Sequence, residues 1–483
     1  MARVKIDLDR RLGTIDRKLY GMFIEHLGRC IYGGIYEPGS PLSDENGIRQ
    51  EVLAASRALQ PPIMRYPGGN FVSGYHWLNG VGPKEKRPAR VELAWHTVER
   101  NQFGTNEFID YCRRFPTAPY LCVNMGTGTM EEAAAWVEYC NRAADTSYAK
   151  LRAEHGYEQP HQVVYWGLGN EMFGDWQIGH LNAEDYAKKA RQFAQVMKWT
   201  DGDIKLVLCG GGGAEWDRVV LENCADLVEY IAYHVYWGAV PGQDKHYSNL
   251  AQPYASEQYL KFLWQLINQV RRDKRVPHPI TIAIDEWNVW YRTHGSDTNE
   301  ERYDLTDCLS VALYLNMMRR NCRAIGMACL AQMVNVLAPI FTSPEGMFLQ
   351  TIYHPLRLAA EKSGPVALEA WVECDSYRAD YCNVAAVPYL DVMVSLDEAA
   401  RKLFISLVNL DKEQAQTVGL QVQPAGVRSS GTAYLVSGEA PEVTNDFQHQ
   451  RVAVKTEPLR DASEQFSYTM PPSSHAVLEL ELD

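Results

Sequence analysis

The sequence of 483 residues has little positive charge and no long apolar run. Its 47 Lys and Arg residues face 60 Asp and Glu residues, which leaves a formal net charge of −13. Nucleic acids and anionic membranes bind basic surfaces, so we expect neither as a partner. The opening residues MARVKIDLDRRLGTID lack the apolar core of a signal peptide, and nowhere do about 18 uncharged apolar residues follow one another. We therefore expect a cytosolic protein.

Paired cysteines and several familiar catalytic motifs are missing as well. The 11 cysteines are an odd number and lie mostly in apolar stretches such as PYLCVNM, which is typical of reduced, buried thiols. The sequence has no HExxH motif and no close Cys pair that would predict a metal site. It also has no GxSxG elbow that would predict a serine hydrolase. The glycine-rich segment 209–216, CGGGGAEW, lacks the ending of a phosphate-binding loop. We expect no metal and no cofactor.

What the sequence does contain is a regular alternation of short apolar runs and longer helical patterns between about residues 18 and 360. Helices are predicted at 130–143, at 182–199 with Asn182 as N-cap, and at 256–275 with Ser256 as N-cap. Eight strand–helix units predict an α/β fold, a (β/α)8 TIM barrel, with an open doubly wound sheet as the alternative. The predicted strands are GMFIEHL, PIMRYPG, PYLCVNM, VVYWGLGNE, KLVLCG, YIAYHVY, ITIAIDEWN and AIGMACLAQ.

The last 120 or so residues have a different pattern. Segments such as QTVGLQVQP and HAVLELELD alternate apolar and polar residues between turns, which predicts a C-terminal antiparallel β-sandwich of the jelly-roll type. We assign residues 16–362 to the catalytic barrel and 363–483 to the sandwich. The first 15 residues also alternate, in VKIDLD, and are predicted to add a strand to the sandwich.

Polar side chains end nearly every predicted barrel strand, where the loops of a barrel converge on one mouth. Each of them alone is more often a solvated or hydrogen-bonded structural residue. Their repetition on strand after strand predicts a functional site, and nearby tryptophans suit a sugar ring, although barrel core explains any single Trp equally well. The polar residues are Glu25, His26, Arg65, Asn124, Asn170, Glu171, His234, Tyr236, Glu286, Asn288 and Gln332, and the tryptophans are Trp95, Trp176, Trp287 and Trp290.

Two carboxylates with few other catalytic groups are what glycoside hydrolysis requires. Glu171 and Glu286 are the natural pair, since both end strands beside Trp and Asn. The aromatic surroundings of Glu171 predict a raised pKa and a retained proton. Glu286 should stay ionised beside Arg65, His234 or Tyr236. Strand alternation predicts that the preceding Asp285 points the opposite way.

Long ungapped stretches of the barrel resemble the family 51 glycoside hydrolases, the α-L-arabinofuranosidases. They include GMFIEHLGRCIYGGIYEPGS, MRYPGGNFVSGYHWLNG, CVNMGTGTMEEAAAWVEYCN, WGLGNEMFGDWQIGH, IDEWNVWY and CLAQMVNVLAPI. The resemblance implies a retaining mechanism with Glu171 as acid/base and Glu286 as nucleophile. It places sugar contacts on Glu25, Arg65, Asn70, Asn170, Tyr236 and Gln332, and His234 and Trp290 complete the expected substrate-binding set.

The resemblance implies release of terminal α-L-arabinofuranosyl residues from arabino-oligosaccharides or arabinoxylan fragments, and a homo-oligomeric protein. β-Xylosidase or endo-β-glucanase action is the alternative within the family, and a non-catalytic carbohydrate-binding barrel is the alternative outside it. Two stretches at the predicted mouth, 291–304 and the exit of the sixth strand, depart from the family pattern. They bear on the preferred leaving group and leave the central reaction unchanged.

Overall fold

The computed structural model describes residues 2–143, 145–292, 299–424, 426–460 and 462–483. In chain order the strands are β1 (Ala2–Thr14), β2 (Gly21–Phe23), β3 (Ile63–Tyr66), β4 (Arg90–Glu92), β5 (Thr97–Glu99), β6 (Ala118–Val123), β7 (Tyr165–Leu168), β8 (Lys205–Leu208), β9 (Tyr230–Trp237), β10 (Thr281–Val289), β11 (Ile325–Ala331), β12 (Ile340–Ser343), β13 (Gly346–Leu349), β14 (Val366–Glu373), β15 (Ser376–Ala379), β16 (Val384–Pro388), β17 (Leu390–Asp397), β18 (Lys402–Asn409), β19 (Gln416–Gln423), β20 (Val427–Ser437), β21 (Ala453–Arg460), β22 (Gln465–Met470) and β23 (Ser474–Leu482).

The α-helices lie between β2 and β14 and end before the sheet-rich region. They are α1 (Gln50–Leu59), α2 (Thr105–Arg113), α3 (Met130–Asn141), α4 (Ser147–Glu154), α5 (Ala183–Thr200), α6 (Ala214–Cys224), α7 (Lys245–Asp273), α8 (Leu305–Arg320) and α9 (Tyr353–Glu361). None of the helices in the described part of the chain combines the length and the apolar character that a membrane crossing requires.

Eight parallel strands close into a barrel in the order β10-β11-β2-β3-β6-β7-β8-β9. These are the eight predicted strands, so the predicted barrel is confirmed and the open sheet is excluded. The strands read as continuous apolar runs because both their faces are buried, one in the barrel interior and one under the helices. Phe23, Tyr120, Val207 and Met327 are among the side chains that fill the interior.

Two predicted helix starts have opposite outcomes. Asn182 caps α5 as predicted, since its side chain accepts the N–H of Asp185. The prediction that Ser256 caps the next helix is wrong, because α7 begins eleven residues earlier behind Asp244 and runs through Pro253. A proline inside a helix cannot donate to the carbonyl four residues back. Here that carbonyl, of Asn249, accepts a hydrogen bond from the Ser310 hydroxyl at 3.3 Å.

The C-terminal region is one continuous nine-stranded ladder, β21-β20-β23-β18-β17-β14-β1-β19-β22. Apolar residues from both ends of the ladder meet in one core, so the sheet folds over on itself as a sandwich. Its pairs are antiparallel except one, because β1 lies parallel to β19. We propose to divide the chain between residues 362 and 363, since α9 ends at Glu361 and β14 begins at Val366.

Candidate active site

A cavity of about 460 Å³ opens at the carboxyl ends of the barrel strands. Its wall is built from loops that follow different strands, as in other enzymes of this architecture. Seven of the predicted site residues line the cavity, and Arg65, Asn170 and His234 lie directly behind them in hydrogen-bond contact. The lining includes Glu25, Asn70, Glu171, Tyr236, Glu286, Trp290 and Gln332, together with Trp95, Trp176 and Arg292.

Glu286 enters the cavity because β10 contains an extra residue. Three steps along β10, from Ala283 to Glu286, match two steps along β9, from Ala232 to His234. The same mismatch occurs on the other side, against β11. Such a β-bulge lets two successive side chains face the same way. Asp285 therefore also points into the barrel, and the prediction that it faces the other side is wrong.

Three groups hold the Glu286 carboxylate. Arg65 Nη1 lies 2.5 Å from Oε1, the Tyr236 hydroxyl donates to Oε2 at 2.7 Å, and His234 Nδ1 lies 3.6 Å from Oε2. The second Arg65 nitrogen donates to Asn170 Oδ1 at 2.7 Å. A guanidinium, one hydroxyl donor and a nearby imidazole thus surround this carboxylate. This is the environment that a nucleophile needs.

Glu171 sits opposite, at the end of β7. Its Oε2 accepts the Trp176 indole N–H at 2.7 Å, and its Oε1 lies 3.0 Å from His234 Nδ1. Burial alone would raise the pKa of Glu171, but the hydrogen bonds and charge of His234 and the hydrogen bond of Trp176 lower it. The prediction of a raised pKa is therefore wrong for the free protein. The cause is a histidine from a strand 63 residues away.

His234 connects the two carboxylates with Asp285. Its Nε2 lies 3.2 Å from Asp285 Oδ1, while its Nδ1 faces Glu171 and Glu286. Burial alone would lower the pKa of His234, but Glu286 and Asp285 raise it to about 10. The imidazolium is thus the proton-bearing group between two carboxylates at neutral pH. Asp285 is itself held by the Tyr120 hydroxyl at 2.7 Å, and no sequence pattern pointed to that contact.

Glu25 lies on another wall of the cavity and accepts three hydrogen bonds. They come from the backbone N–H of Phe71 at 3.1 Å, the Trp95 indole at 3.2 Å and the Gln332 amide at 3.0 Å. Burial and the nearby Glu286 nevertheless raise the pKa of Glu25 to about 8. Trp95 reaches this position from the turn between β4 and β5, which lies outside the barrel strands.

Four of the strand-end residues serve the framework. Trp287 faces outward and stacks on Tyr314 with ring centroids 5.0 Å apart, so for Trp287 the core interpretation is correct. Asn288 donates to two backbone carbonyls, and Asn124 holds the turn that follows β6. His26 pairs with the buried Glu99 at 3.1 Å. These four do not line the cavity.

Three side chains of the site are of types that can bind a metal ion. Glu171, His234 and Glu286 are metal-ligating types, and one ligand atom of each lies within 4.8 Å of the others. Among the described residues no other such group of three occurs, and these three already contact one another through His234 Nδ1.

Six residues of the unusual stretch 291–304, namely 293–298, lie outside the described residues.

Comparison with known proteins points to one family over the whole chain. The model of the α-L-arabinofuranosidase 1 domain matches residues 55–254, and that of the α-L-arabinofuranosidase C-terminal domain matches residues 285–474. The chain is 42% identical over 488 residues to a probable α-L-arabinofuranosidase C of Aspergillus niger, covering 96% of this chain and 95% of that protein. It is 38% identical to an intracellular exo-α-(1→5)-L-arabinofuranosidase of Bacillus subtilis, covering 93% and 92%.

Solved structures agree. An α-L-arabinofuranosidase from Thermotoga maritima, determined as an arabinose complex, superposes with a TM-score of 0.94 at 39% identity and covers both chains fully. A family 51 α-L-arabinofuranosidase from Bifidobacterium longum superposes with a TM-score of 0.93 at 31% identity over 99% of each chain. The similarity extends over the barrel and the sandwich together.

Proposed function

The chain belongs to the family 51 α-L-arabinofuranosidases, and from that premise we propose that it is a retaining α-L-arabinofuranosidase with Glu286 as nucleophile and Glu171 as acid/base. One observation carries the proposal. An oxygen of Glu171 and an oxygen of Glu286 lie within 4.8 Å of each other across the cavity. Retaining glycosidases keep their carboxyl groups about 5 to 5.5 Å apart, whereas inverting enzymes leave roughly 6.5 to 9.5 Å for a water molecule.

The first half-reaction uses the two carboxyls in different ways. A Glu286 oxygen attacks the anomeric carbon, the bond from that carbon to the leaving oxygen breaks, and the leaving oxygen takes a proton from Glu171. Since Glu171 has a lowered pKa in the free protein, we infer that His234 stores this proton and passes it from Nδ1 to Glu171 as substrate enters. The 3.0 Å contact between the two side chains allows the transfer.

The second half-reaction returns the enzyme to its starting state. Glu171, now ionised, takes a proton from water, and the water oxygen attacks the anomeric carbon while the Glu286 carboxylate leaves. Glu171 then returns the proton to Nδ1 of His234 across their 3.0 Å contact, which restores the starting state. Arg65 and Tyr236 stabilise that departing carboxylate, because both already bond to it in the free protein. Asp285 keeps His234 oriented throughout the cycle.

Two unpaired polar atoms support a sugar as the ligand. The side-chain oxygen of Gln332 and the indole N–H of Trp290 are buried and have no hydrogen-bond partner among the residues that the structure describes. Both residues line the cavity. One is an acceptor and the other a donor, and a hydroxyl group is both, so sugar hydroxyls satisfy the two atoms that the fold leaves open.

We propose an exo-acting enzyme that works on short arabinose-containing oligosaccharides, either arabino-oligosaccharides or arabinoxylan fragments. The intracellular exo-acting relative of B. subtilis supports both this mode of action and a cytoplasmic location. We further propose that the protein is a homo-oligomer. β-Xylosidase or endo-β-glucanase action is not favoured, since the relatives described above are named as arabinofuranosidases.

Substitution of the two carboxyls tests the roles. Glu171→Ala should keep glycosylation of aryl arabinofuranosides that have good leaving groups and should respond to azide, since the acid is then dispensable and a small anion replaces activated water. Glu286→Ala should lose activity on every substrate. The exposed Glu184 on α5 provides a Glu→Ala control with unchanged kinetics. Identical behaviour of Glu171→Ala and Glu286→Ala would overturn the roles.

A substrate panel separates the remaining candidates. Aryl α-L-arabinofuranosides, aryl β-xylosides and β-glucan oligomers should be assayed side by side with the natural protein. We expect turnover of the arabinofuranosides to exceed that of the other two classes by at least about a hundredfold, which corresponds to roughly 2.7 kcal/mol in transition-state binding. A carbohydrate-binding barrel without catalysis would release no phenol from the aryl glycosides and would not cleave the β-glucan oligomers.

A further inference from the structure

One buried hydroxyl group joins the end of β7, the strand that leads into the acid/base, to the end of the neighbouring strand β8. Tyr186 on α5 is fully buried. Its hydroxyl donates to the carbonyl of Leu168 at 2.8 Å and accepts the backbone N–H of Cys209 at 2.9 Å. Leu168 is the last residue of β7, and Cys209 directly follows Leu208, the last residue of β8. The Tyr186 hydroxyl therefore continues the pairing at the point where the β7–β8 ladder stops.

Glu171 leaves this point through a strained turn. Gly169 has a φ of 78°, and Glu171 itself has a φ of 41°, a left-handed conformation that a residue with a Cβ seldom adopts. Just beyond, the N–H of Met172 donates to the sulfur of Cys209 at 3.3 Å. A strained turn persists only where its surroundings over-determine it. Tyr186 holds the turn of Glu171 on one side, through the Leu168 carbonyl. The sulfur of Cys209 holds it on the other side, through the Met172 N–H.

The ring of Tyr186 reaches the same carboxyl by a second route. It stacks on Trp216 with centroids 5.2 Å apart. Trp216 packs against Phe173 at 5.7 Å, and Phe173 packs edge-on against Trp176 at 6.0 Å. Trp176 is the residue whose indole bonds Glu171. Tyr186 is therefore connected to the backbone of Glu171 through Leu168 and to its side chain through the row of packed aromatic rings that ends at Trp176.

We propose that Tyr186, with the sulfur of Cys209 beside it, is a positioning residue that sets the location of the acid/base carboxyl. The inference rests on the proposed role of Glu171. Without the hydroxyl, the Leu168 carbonyl and the Cys209 N–H lose this hydrogen-bond partner in a buried position, which destabilises the end of β7. The end of β7 relaxes to recover those bonds, and the turn that carries Glu171 moves with it.

A purely structural role makes a different prediction. Loss of a buried hydroxyl would lower the thermal stability and leave the kinetic constants of the folded protein unchanged. Misplacement of Glu171 instead weakens proton transfer to the leaving oxygen. That step matters most for poor leaving groups, since good ones depart without protonation. The dependence of rate on leaving group therefore separates the two roles, while stability does not.

The test compares Tyr186→Phe with Tyr353→Phe. Tyr353 is also buried and its hydroxyl also donates to a backbone carbonyl, that of Ala55 at 3.0 Å, on the α1–α9 side of the barrel. The ratio of kcat/KM for a poor against a good aryl leaving group is measured well below both melting temperatures. We expect this ratio to fall about tenfold in Tyr186→Phe, since a misplacement near 1 Å costs up to about a hundredfold. It should stay constant in Tyr353→Phe.

An unchanged ratio in a folded Tyr186→Phe protein would overturn the proposal. If that variant does not fold, Cys209→Ala tests the same anchor, with Cys112→Ala as control, since Cys112 is buried on α2. A constant ratio in Cys209→Ala would then overturn it. Failure of the proposed function is distinguishable, because in that case Glu171→Ala itself would show no dependence on the leaving group.

Discussion

Asp285 and Glu286 are neighbours in the chain, and both of their side chains lie inside the barrel. Asp285 Oδ1 lies 3.2 Å from Nε2 of His234, and Glu286 Oε2 lies 3.6 Å from Nδ1 of the same imidazole. A regular strand would send one of them under the helices. The extra residue in β10 instead places two carboxylates on one histidine and gives that histidine its raised pKa.

Removal of the Asp285 charge should change the pH dependence of the reaction. Asp285→Asn removes one of the two charges that raise the pKa of His234 to about 10. His234 should then lose its proton at lower pH. In a Glu25→Gln background, which lacks the separate limit that Glu25 imposes near pH 8, the alkaline limb of kcat/KM should therefore move to lower pH and the maximal value should fall at least about tenfold. The pH profile of kcat/KM measures both.

The control is Asp391→Asn, at the junction of barrel and sandwich. Asp391 is also buried and also pairs with a cation, Arg320, but it lies outside the cavity. It should lose stability and keep the alkaline limb of the natural protein. An Asp285→Asn profile with the limb in its original place would contradict the assigned connection between Asp285 and His234.

Glu25 should impose a limit of its own near pH 8. Burial and Glu286 raise its pKa to about 8, so Glu25 is protonated at neutral pH and gains a charge as the pH rises past 8. That charge faces Glu286 and should reduce kcat/KM. Glu25→Gln mimics the protonated form, so it should keep activity between pH 8 and 9 where the natural protein loses it. A decline in Glu25→Gln at the same pH as in the natural protein would assign the limb to another group.

Acid stability should depend on His354. This side chain on α9 is buried, donates to the carbonyl of Val452 at 2.9 Å, and has a pKa lowered from 6.5 to about 4 by burial. In the unfolded chain His354 binds a proton below about pH 6.5, whereas in the folded protein it binds that proton only near pH 4. The free energy of unfolding should thus fall by up to about 3 kcal/mol over that window from this group alone.

His354→Gln keeps an N–H donor and cannot become charged. Its melting temperature should lie at or below that of the natural protein at pH 7, and the difference should close or reverse at pH 5. His449→Gln, at an exposed site in the same loop region as Val452, provides the control and should show a constant difference. A constant difference in His354→Gln as well would mean that this histidine does not titrate on unfolding.

The features predicted correctly from the sequence depend on local pattern. All eight barrel strands and the Asn182 cap follow from apolar runs and from one side chain that accepts a nearby N–H. The paired carboxylates follow from the rule that strand ends meet at one mouth. The strand and cap signals are local, and the pairing of the carboxylates needs only the general geometry of a barrel, so no knowledge of particular distant partners is needed.

The predictions that were wrong all depend on residues that lie far away in the chain. Ser256 was assigned as a helix start from its residue type alone, whereas α7 begins behind Asp244 and continues through Pro253. The carbonyl that Pro253 leaves free is bonded by Ser310 from another helix. Asp285 was assigned to the wrong face because the bulge in β10 appears only against its neighbours. The pKa of Glu171 was predicted from adjacent aromatics, whereas His234, which arrives from β9, decides it.

The stereochemistry of the first product tests the central claim most directly. Proton NMR of a fresh reaction distinguishes the two arabinofuranose anomers before they equilibrate. A covalent intermediate on Glu286, attacked by water that Glu171 activates, predicts that the α-anomer appears first and the β-anomer follows by mutarotation. Initial release of the β-anomer would contradict the assignment of Glu286 as nucleophile.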